Sequence, residues 1–535
     1  MEVAESGLVR NVFSALLASI LVVSAVACGS TRKPHEVSPA LETIVSGKPL
    51  PNVEPDVWPD VRAFYTQREH APAWVDNRRP TSRAADAIAV LNTARQHGYV
   101  ADEYGATELL AMSQDVEAID KESPKRLEHN AEFDVRLTAG LLAFGRDVAI
   151  GRTKDSKWKS QRKAPDFVAA LAKIVDGDAK DWVDAVRPPH AEYERLASAL
   201  DALHGQKEKG GWVSVPAIAK PGASGPAVVA LRQRLSASGH LKGDPAASGT
   251  YDADVEAAVK SFQELHGIKA TGIIDQQTLA ALNVPLEARM RQVALNLQRW
   301  RWMPDDLGER HFMVNVPRFR LIAREQGKPV MDIRVVVGKV GNNTPLFSDE
   351  MESVVFSPYW NIPDSIAQGE TLPALARDPN YLARQNIEIV RTSGEKVSTD
   401  DVDWGDPESL KGFAFRQRPG SGNALGYVKF LFPNSHNVYL HDTPADNLFG
   451  KPTRAFSHGC VRVEEPETLA KYVLRDYPEW DEQSIFTAMR AGTERHVKLK
   501  HKIPVHIVYF TSWVDENGGL HFQPDIYGYD QSTAN

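Results

Sequence analysis

The sequence predicts a multidomain α+β protein, with a helical amino-terminal part and a mostly β carboxyl-terminal domain. Three observations predict it. The chain has 535 residues, which at roughly 150 residues per domain gives three to four domains. Apolar residues recur at three- and four-residue spacings through the first part, as in helices with one buried face. From residue 312 the period changes: HFMVNVP, FRLIAR and MDIRVVVGK alternate or run apolar, as strands do.

Composition narrows the class. Hydrophobic residues make 42% and charged residues 25%, the balance of folded soluble protein, which excludes a disordered chain and a polytopic membrane protein. The 62 basic against 70 acidic residues leave a net charge of −8. That argues against nucleic acid as a partner, which needs a basic surface. The two cysteines, Cys28 and Cys460, are too few for a disulfide scaffold or a four-cysteine zinc site.

The elements follow in chain order. Val12 to Ala27 carry no charge, follow Arg10 and end in Ala25-Val26-Ala27, the pattern of a secretory signal over residues 1–27. The run is shorter than the ~20 residues that span a bilayer. Ala25-Val26-Ala27 fits ordinary cleavage, and Ala27-Cys28-Gly29-Ser30 resembles a bacterial lipobox in which Cys28 is acylated. Either implies export. The lipobox implies a periplasmic protein held to a membrane by a lipid on Cys28, the outer membrane in a Gram-negative cell. Residues 28–56, rich in Pro, Ser, Lys and Glu, read as a tether. Residues 57–204 read as a helical scaffold, with aromatic residues in its core. Residues 205–225 carry Gly, Pro and Lys without periodicity and read as a linker.

Residues 226–284 read as a compact three-helix unit. Val228, Leu231 and Leu235 mark one helix face, Asp252 caps a second helix bearing Val255, Val259 and Phe262, and Asp275 caps a third bearing Leu279 and Leu282. The segments LRQRLSASGHL and YDADVEAAVKSFQELHGIKATGIIDQQTLAALN closely resemble the peptidoglycan-binding module of bacterial cell-wall enzymes. Without a ligand, the same unit is a small packing domain. A connecting helix within 285–311 carries Val293, Leu297 and Trp300 and is expected to pack back on the scaffold. The β domain covers 312–531. Residues 361–426, rich in charge and proline, interrupt its strands and read as an insertion capping the site, with Gly420, Gly422 and Gly426 as hinge candidates.

Two segments of the β domain carry chemistry: Tyr439-Leu440-His441-Asp442 and Ser457-His458-Gly459-Cys460-Val461-Arg462. A thiol nucleophile needs a base or a positive environment to form thiolate. His441, at a strand end nineteen residues before Cys460, is a candidate base. Gly459 permits a sharp turn that can aim backbone amides at an oxyanion, and Arg462 offers a positive charge. Tyr439 shares a strand face with His441.

This motif resembles the active site of L,D-transpeptidases of the peptidoglycan wall. Further similarity lies in Thr344-Pro345, in Ser357-Pro358-Tyr359-Trp360-Asn361-Ile362-Pro363 and in Asp525-Ile526-Tyr527-Gly528, which look like the long Gram-negative-type members. The resemblance implies Cys460 as nucleophile, His441 as general base and acid, and Ser457, His458, Gly459, Arg462 and Tyr439 as oxyanion or substrate residues. It implies peptidoglycan stem peptides and glycan as partners, no metal and no organic cofactor. Three rivals stand beside it. One is a zinc hydrolase using His436, His441, Asp442, His458 and Cys460, although no HExxH is present. Another is a non-catalytic wall-binding lipoprotein. The third is a same-fold enzyme with another outcome: a carboxypeptidase or crosslink-cleaving amidase in which water takes the acyl group, or one that attaches a lipoprotein to the wall.

Overall fold

The computed structural model describes residues 35–532 apart from 77, 153–159, 218, 246–247, 392 and 405–411. The expected signal and Cys28 lie outside the described residues.

The amino-terminal helices are α1 (Ser38–Ser46), α2 (Trp58–Gln67), α3 (Ser82–Leu91), α4 (Ala106–Asp115), α5 (Pro124–Ile150), α6 (Phe167–Asp176), α7 (Trp182–Val186) and α8 (Ala191–Glu208), with a ribbon of β1 (Val75–Asp76) and β2 (Arg79–Pro80). The long α5 is the axis. Ser123 caps it and Pro124 opens its first turn, where a missing N–H costs nothing. Phe133, Leu137, Leu141, Phe144 and Val148 are buried along it at helical spacing. Asp134 is fully buried on the same helix. It accepts from the N–H groups of Ala73 (3.0 Å), Trp74 (2.7 Å) and Val75 (3.0 Å) and from the Tyr65 hydroxyl (2.5 Å). These donors offset the cost of burying a carboxylate and fix the ribbon on α5.

Two segments differ from the sequence expectation. The expected tether 28–56 contains α1, whose Leu41 and Val45 are buried in the helical core. Its apolar residues fall on one helix face, and the polar composition around them concealed that face. The expected linker 205–225 begins inside α8, and Val215 belongs to the core of the next unit. The Asn283 side chain accepts from Val215 N–H at 2.8 Å and donates to its C=O at 2.9 Å, which makes the segment a strap.

That unit comprises α9 (Pro226–Ala237), α10 (Ala253–Leu265) and α11 (Gln276–Leu282). Val228, Leu231, Leu235, Val255, Val259, Phe262 and Leu282 share one core. The carboxylates of Asp252 and Asp275 accept from Val255 N–H (3.0 Å) and Thr278 N–H (2.7 Å), caps of about 1 kcal/mol each. The connecting helix α12 (Leu286–Trp300) packs on α8 as expected, with Val293 and Leu297 beside Leu196 and Leu200. It also reaches the β domain: Trp300 stacks on Phe510 at 4.6 Å.

The β domain begins with β3 (Arg310–Asn315), β4 (Arg320–Glu325), β5 (Lys328–Gly338) and β6 (Phe347–Phe356). The insertion then supplies β7 (Trp360–Asn361), α13 (Asp364–Ile366), a π-helical turn Ala367–Thr371, α14 (Leu372–Arg377), α15 (Tyr381–Arg384), β8 (Ile387–Arg391), β9 (Lys396–Val397) and β10 (Phe413–Gln417). The domain resumes with β11 (Val428–Leu431), β12 (Leu440–His441), β13 (Ala455–Ser457), β14 (Val461–Val463), α16 (Pro466–Leu474), α17 (Glu482–Arg490), β15 (Arg495–Val508), β16 (Ser512–Val514) and β17 (Leu520–Phe522). The main sheet runs β13-β5-β14-β12-β11-β6-β15-β3-β4, and β4 also pairs with β5, so the sheet closes on itself. Leu469, Val473, Ile485 and Met489 of α16 and α17 lie in its core. The sequence reading anticipated neither helix.

The insertion has its own sheet, β7-β10-β8-β9, and its own core of Ile362, Leu382, Ile389, Val397, Val402 and Phe415. Its carboxyl-terminal end is pinned. The buried Asn423 amide donates to the carbonyls of Pro358 (3.1 Å), Gln417 (3.3 Å) and Arg418 (2.9 Å). Gly426, expected as a hinge, has φ +58°, and a Cβ there would lie 2.2 Å from the Asp442 carboxylate. Its lack of a side chain serves close packing.

Candidate active site

Strands β12 and β14 run parallel, with Leu440 beside Val461 and His441 beside Arg462. The Val461 N–H donates to the Tyr439 carbonyl at 3.2 Å. Leu440, Val461 and Val463 are buried in the domain core. Side chains alternate along a strand, so Tyr439, His441, Cys460 and Arg462 stand together on the opposite face. The sequence motif is thereby assembled from two segments that pair in register.

Cys460 is half-buried. Its Sγ lies 3.8 Å from the carbonyl of Asn437, a residue held at φ +54°, which asparagine tolerates. The Tyr439 ring stands edge-on to the His441 ring, with centroids 5.7 Å apart. Burial pushes the Cys460 thiol up, and Tyr439 and the Arg462 charge oppose this without overcoming it.

His441 is buried, and its Nδ1 lies 2.5 Å from the Asp442 carbonyl. A carbonyl only accepts, so Nδ1 carries the proton and Nε2 the free lone pair. Burial, followed by the Arg462 and Lys429 charges, pushes this imidazole down to about 3. Lys429 is the partner of His441 across β11 and β12. The base therefore rests neutral, ready to take a proton. The Asp442 carboxylate is used elsewhere, accepting from Tyr427 N–H (2.7 Å) and Thr443 N–H (2.6 Å). Arg462 has no ion-pair partner among the described residues, and its buried Nε has no hydrogen bond.

The turn before Cys460 is built by side-chain hydroxyls. Gly459 has φ +124°, a conformation that excludes most other residues. Ser457 Oγ accepts from Gly459 N–H (3.1 Å) and donates to the Cys460 carbonyl (2.6 Å). Thr344 Oγ1 donates to the Gly459 carbonyl (2.8 Å) and accepts from Gly338 N–H (2.8 Å). Tyr527 donates to the Gly338 carbonyl at 2.5 Å. The expectation that Gly459 supplies an oxyanion donor is thus corrected, because its N–H is already taken by Ser457. Ser457, expected near substrate, is buried and holds the turn. Thr344 and Tyr527 stand in segments the sequence singled out without a role for either. Exposed His458 lies with Nε2 2.8 Å from Oε1 of Glu370 in the insertion.

Lys429, Asn437 and Glu370 were missed. Each lies outside the motif, and no local pattern marks it. The five zinc-ligand candidates do not converge. Besides the partners above, the His436 ring packs against Phe347, and among the described residues no group of three or more such side chains is arranged to hold a metal.

Comparison with known proteins finds similarity in three segments of the chain. Residues 309–505 match the YkuD model, described as the L,D-transpeptidase catalytic domain. Residues 59–200 match a Scaffold domain and 224–282 a Putative peptidoglycan binding domain. A protein of Haemophilus influenzae described as a Putative L,D-transpeptidase is 36% identical over 243 residues, 45% of this chain. The chain spans about half (48%) of that relative's length. Two solved L,D-transpeptidases align at 16% identity. The one from Xylanimonas cellulosilytica covers 55% of this chain and 99% of its own with TM-score 0.17, and the one from Stackebrandtia nassauensis covers 55% and 95% with TM-score 0.20. The matched segments thus fall on the helical region, the three-helix unit and the mostly β domain in turn. The mostly β domain is therefore similar to the L,D-transpeptidase catalytic domain that the YkuD model describes.

Proposed function

We propose that this protein is a cysteine L,D-transpeptidase acting on peptidoglycan stems. The observation that carries the reading is the in-register pairing of β12 with β14, which sets Tyr439 and His441 beside Cys460 and Arg462 on one face. The Cys460 sulfur attacks the carbonyl of the third residue of a tetrapeptide stem, giving its proton to Nε2 of His441. The C–N bond to the terminal D-Ala breaks, His441 returns the proton to the leaving amine, and a thioester remains. The side-chain amine of a second stem then attacks the thioester to give a 3→3 crosslink, and Cys460 is regenerated.

The charges suit this sequence. Arg462 keeps His441 neutral before the proton moves and stabilises the thiolate afterwards. The N–H groups of His458 and Cys460 are the oxyanion donors left once Gly459 is committed to Ser457. The three-helix unit holds the glycan, and export with a lipid on Cys28 places the enzyme at its substrate. Incubating the mature protein with purified tetrapeptide muropeptides, with products resolved by mass, tests the reading. Loss of D-Ala with a dimer of two stems is expected. Loss of D-Ala with water added would make it a carboxypeptidase, and no release would remove the assignment.

A further inference from the structure

We propose that His458 and Glu370 form a second proton acceptor, dedicated to the incoming amine, with the insertion supplying its carboxylate. This rests on the function proposed above. Glu370 lies in the π-helical turn Ala367–Thr371, its side chain 55% exposed, and it meets the 33% exposed side chain of His458 two residues before the nucleophile.

The chemistry gives such a group a task. An amine arrives at neutral pH as an ammonium, which has no lone pair. Forming an amide from R–NH3+ and a thioester releases two protons, one before attack and one after. The second returns to the departing thiolate through His441. An acceptor other than His441 for the first proton leaves the single free nitrogen of His441 for the second, since its Nδ1 is held by the Asp442 carbonyl.

His458 fits the first task. With Nε2–H donated to Glu370, its Nδ1 lone pair takes a proton from the ammonium. The resulting imidazolium is paired with the Glu370 carboxylate. The freed amine attacks the thioester carbonyl, the C–S bond breaks, the second proton reaches the thiolate through His441, and the imidazolium returns its proton to water. Glu370 acts through His458 and is a positioning residue. Because it sits on the insertion, the second half-reaction requires the insertion to be closed, whereas the first does not.

The test uses Glu370→Gln in the full mature protein, with two acceptors. One is a diaminopimelate-containing stem, whose amine is strongly basic. The other is methoxyamine, which is already neutral near pH 7. Release of D-Ala without acceptor should stay within about twofold of wild type. Transfer to the stem amine should fall at least tenfold, an order typical of lost base catalysis, and transfer to methoxyamine should be retained. Equal losses with both amines, a matching loss of D-Ala release, or undiminished transfer to the stem would each overturn the dyad and leave Glu370 a latch or a bystander. A wild-type protein that releases no D-Ala would remove the proposed function and this inference with it.

Discussion

Burial pushes the Cys460 thiol up and the His441 imidazole down, so the free enzyme holds a neutral pair and not a thiolate–imidazolium pair. Alkylation of Cys460 by iodoacetamide should therefore rise with pH with a midpoint above the ordinary ~8.5 of a thiol. A midpoint below neutrality would refute the neutral pair. Cys460→Ala should abolish D-Ala release in a folded protein. His441→Ala should lower the acylation rate by roughly 10² to 10⁴, measured as the burst of D-Ala. Thr344→Val removes the hydroxyl that joins the Gly459 carbonyl to the Gly338 N–H. Leaving these buried groups unpaired should cost about 1–3 kcal/mol, read as a lower urea midpoint, together with slower acylation as the turn relaxes.

At the scale of elements, the insertion divides into a fixed part and a free part. The strands β8 and β10 pair over five residues, and Asn423 ties the exit of the insertion to Pro358. The segment from Asp364 to Arg377 has no strand pairing, and its exposed Glu370 rests on His458. Hydrogen exchange should be fast in residues 364–377 of the free protein and slower after acylation. Residues 413–426 should be protected in both states. Equal protection of 364–377 in the two states would show that the segment does not respond to the site.

For the whole molecule, burial holds several imidazoles neutral, among them buried His97, His441 and His506 and half-buried His240. His97 and His441 are pushed down to about 3, and His240 and His506 to about 4, in each case mainly by burial. Between ~6.5 and these values the unfolded chain binds protons that the native state refuses, so stability must fall as pH drops through that window. At pH 5 each histidine should contribute a loss on the order of 1–2 kcal/mol. Buried Asp134 and Asp442, raised by burial, oppose this by binding protons in the native state. Urea midpoints at pH 7.5 and pH 5 should therefore be compared between wild type and His97→Gln, and the variant should lose less on acidification. An identical loss would show that His97 does not refuse the proton.

The sequence by itself determined the α+β division, the three-helix unit with its two aspartate caps, and the identity of the Cys460 and His441 segments. These depend on local periodicity and on contiguous motifs, which a linear reading sees directly. Tertiary structure decided the rest. That Leu41 and Val45 dock was decided by a core to which α5, far along the chain, contributes. The fate of the Gly459 amide depended on a serine hydroxyl whose orientation no spacing encodes. The charges that keep His441 neutral come from Arg462 on β14 and Lys429 on β11, two strands that meet it only once the sheet has formed. Glu370 reaches His458 across 88 residues of chain, a contact set by the packing of the insertion on the sheet and written in no local pattern.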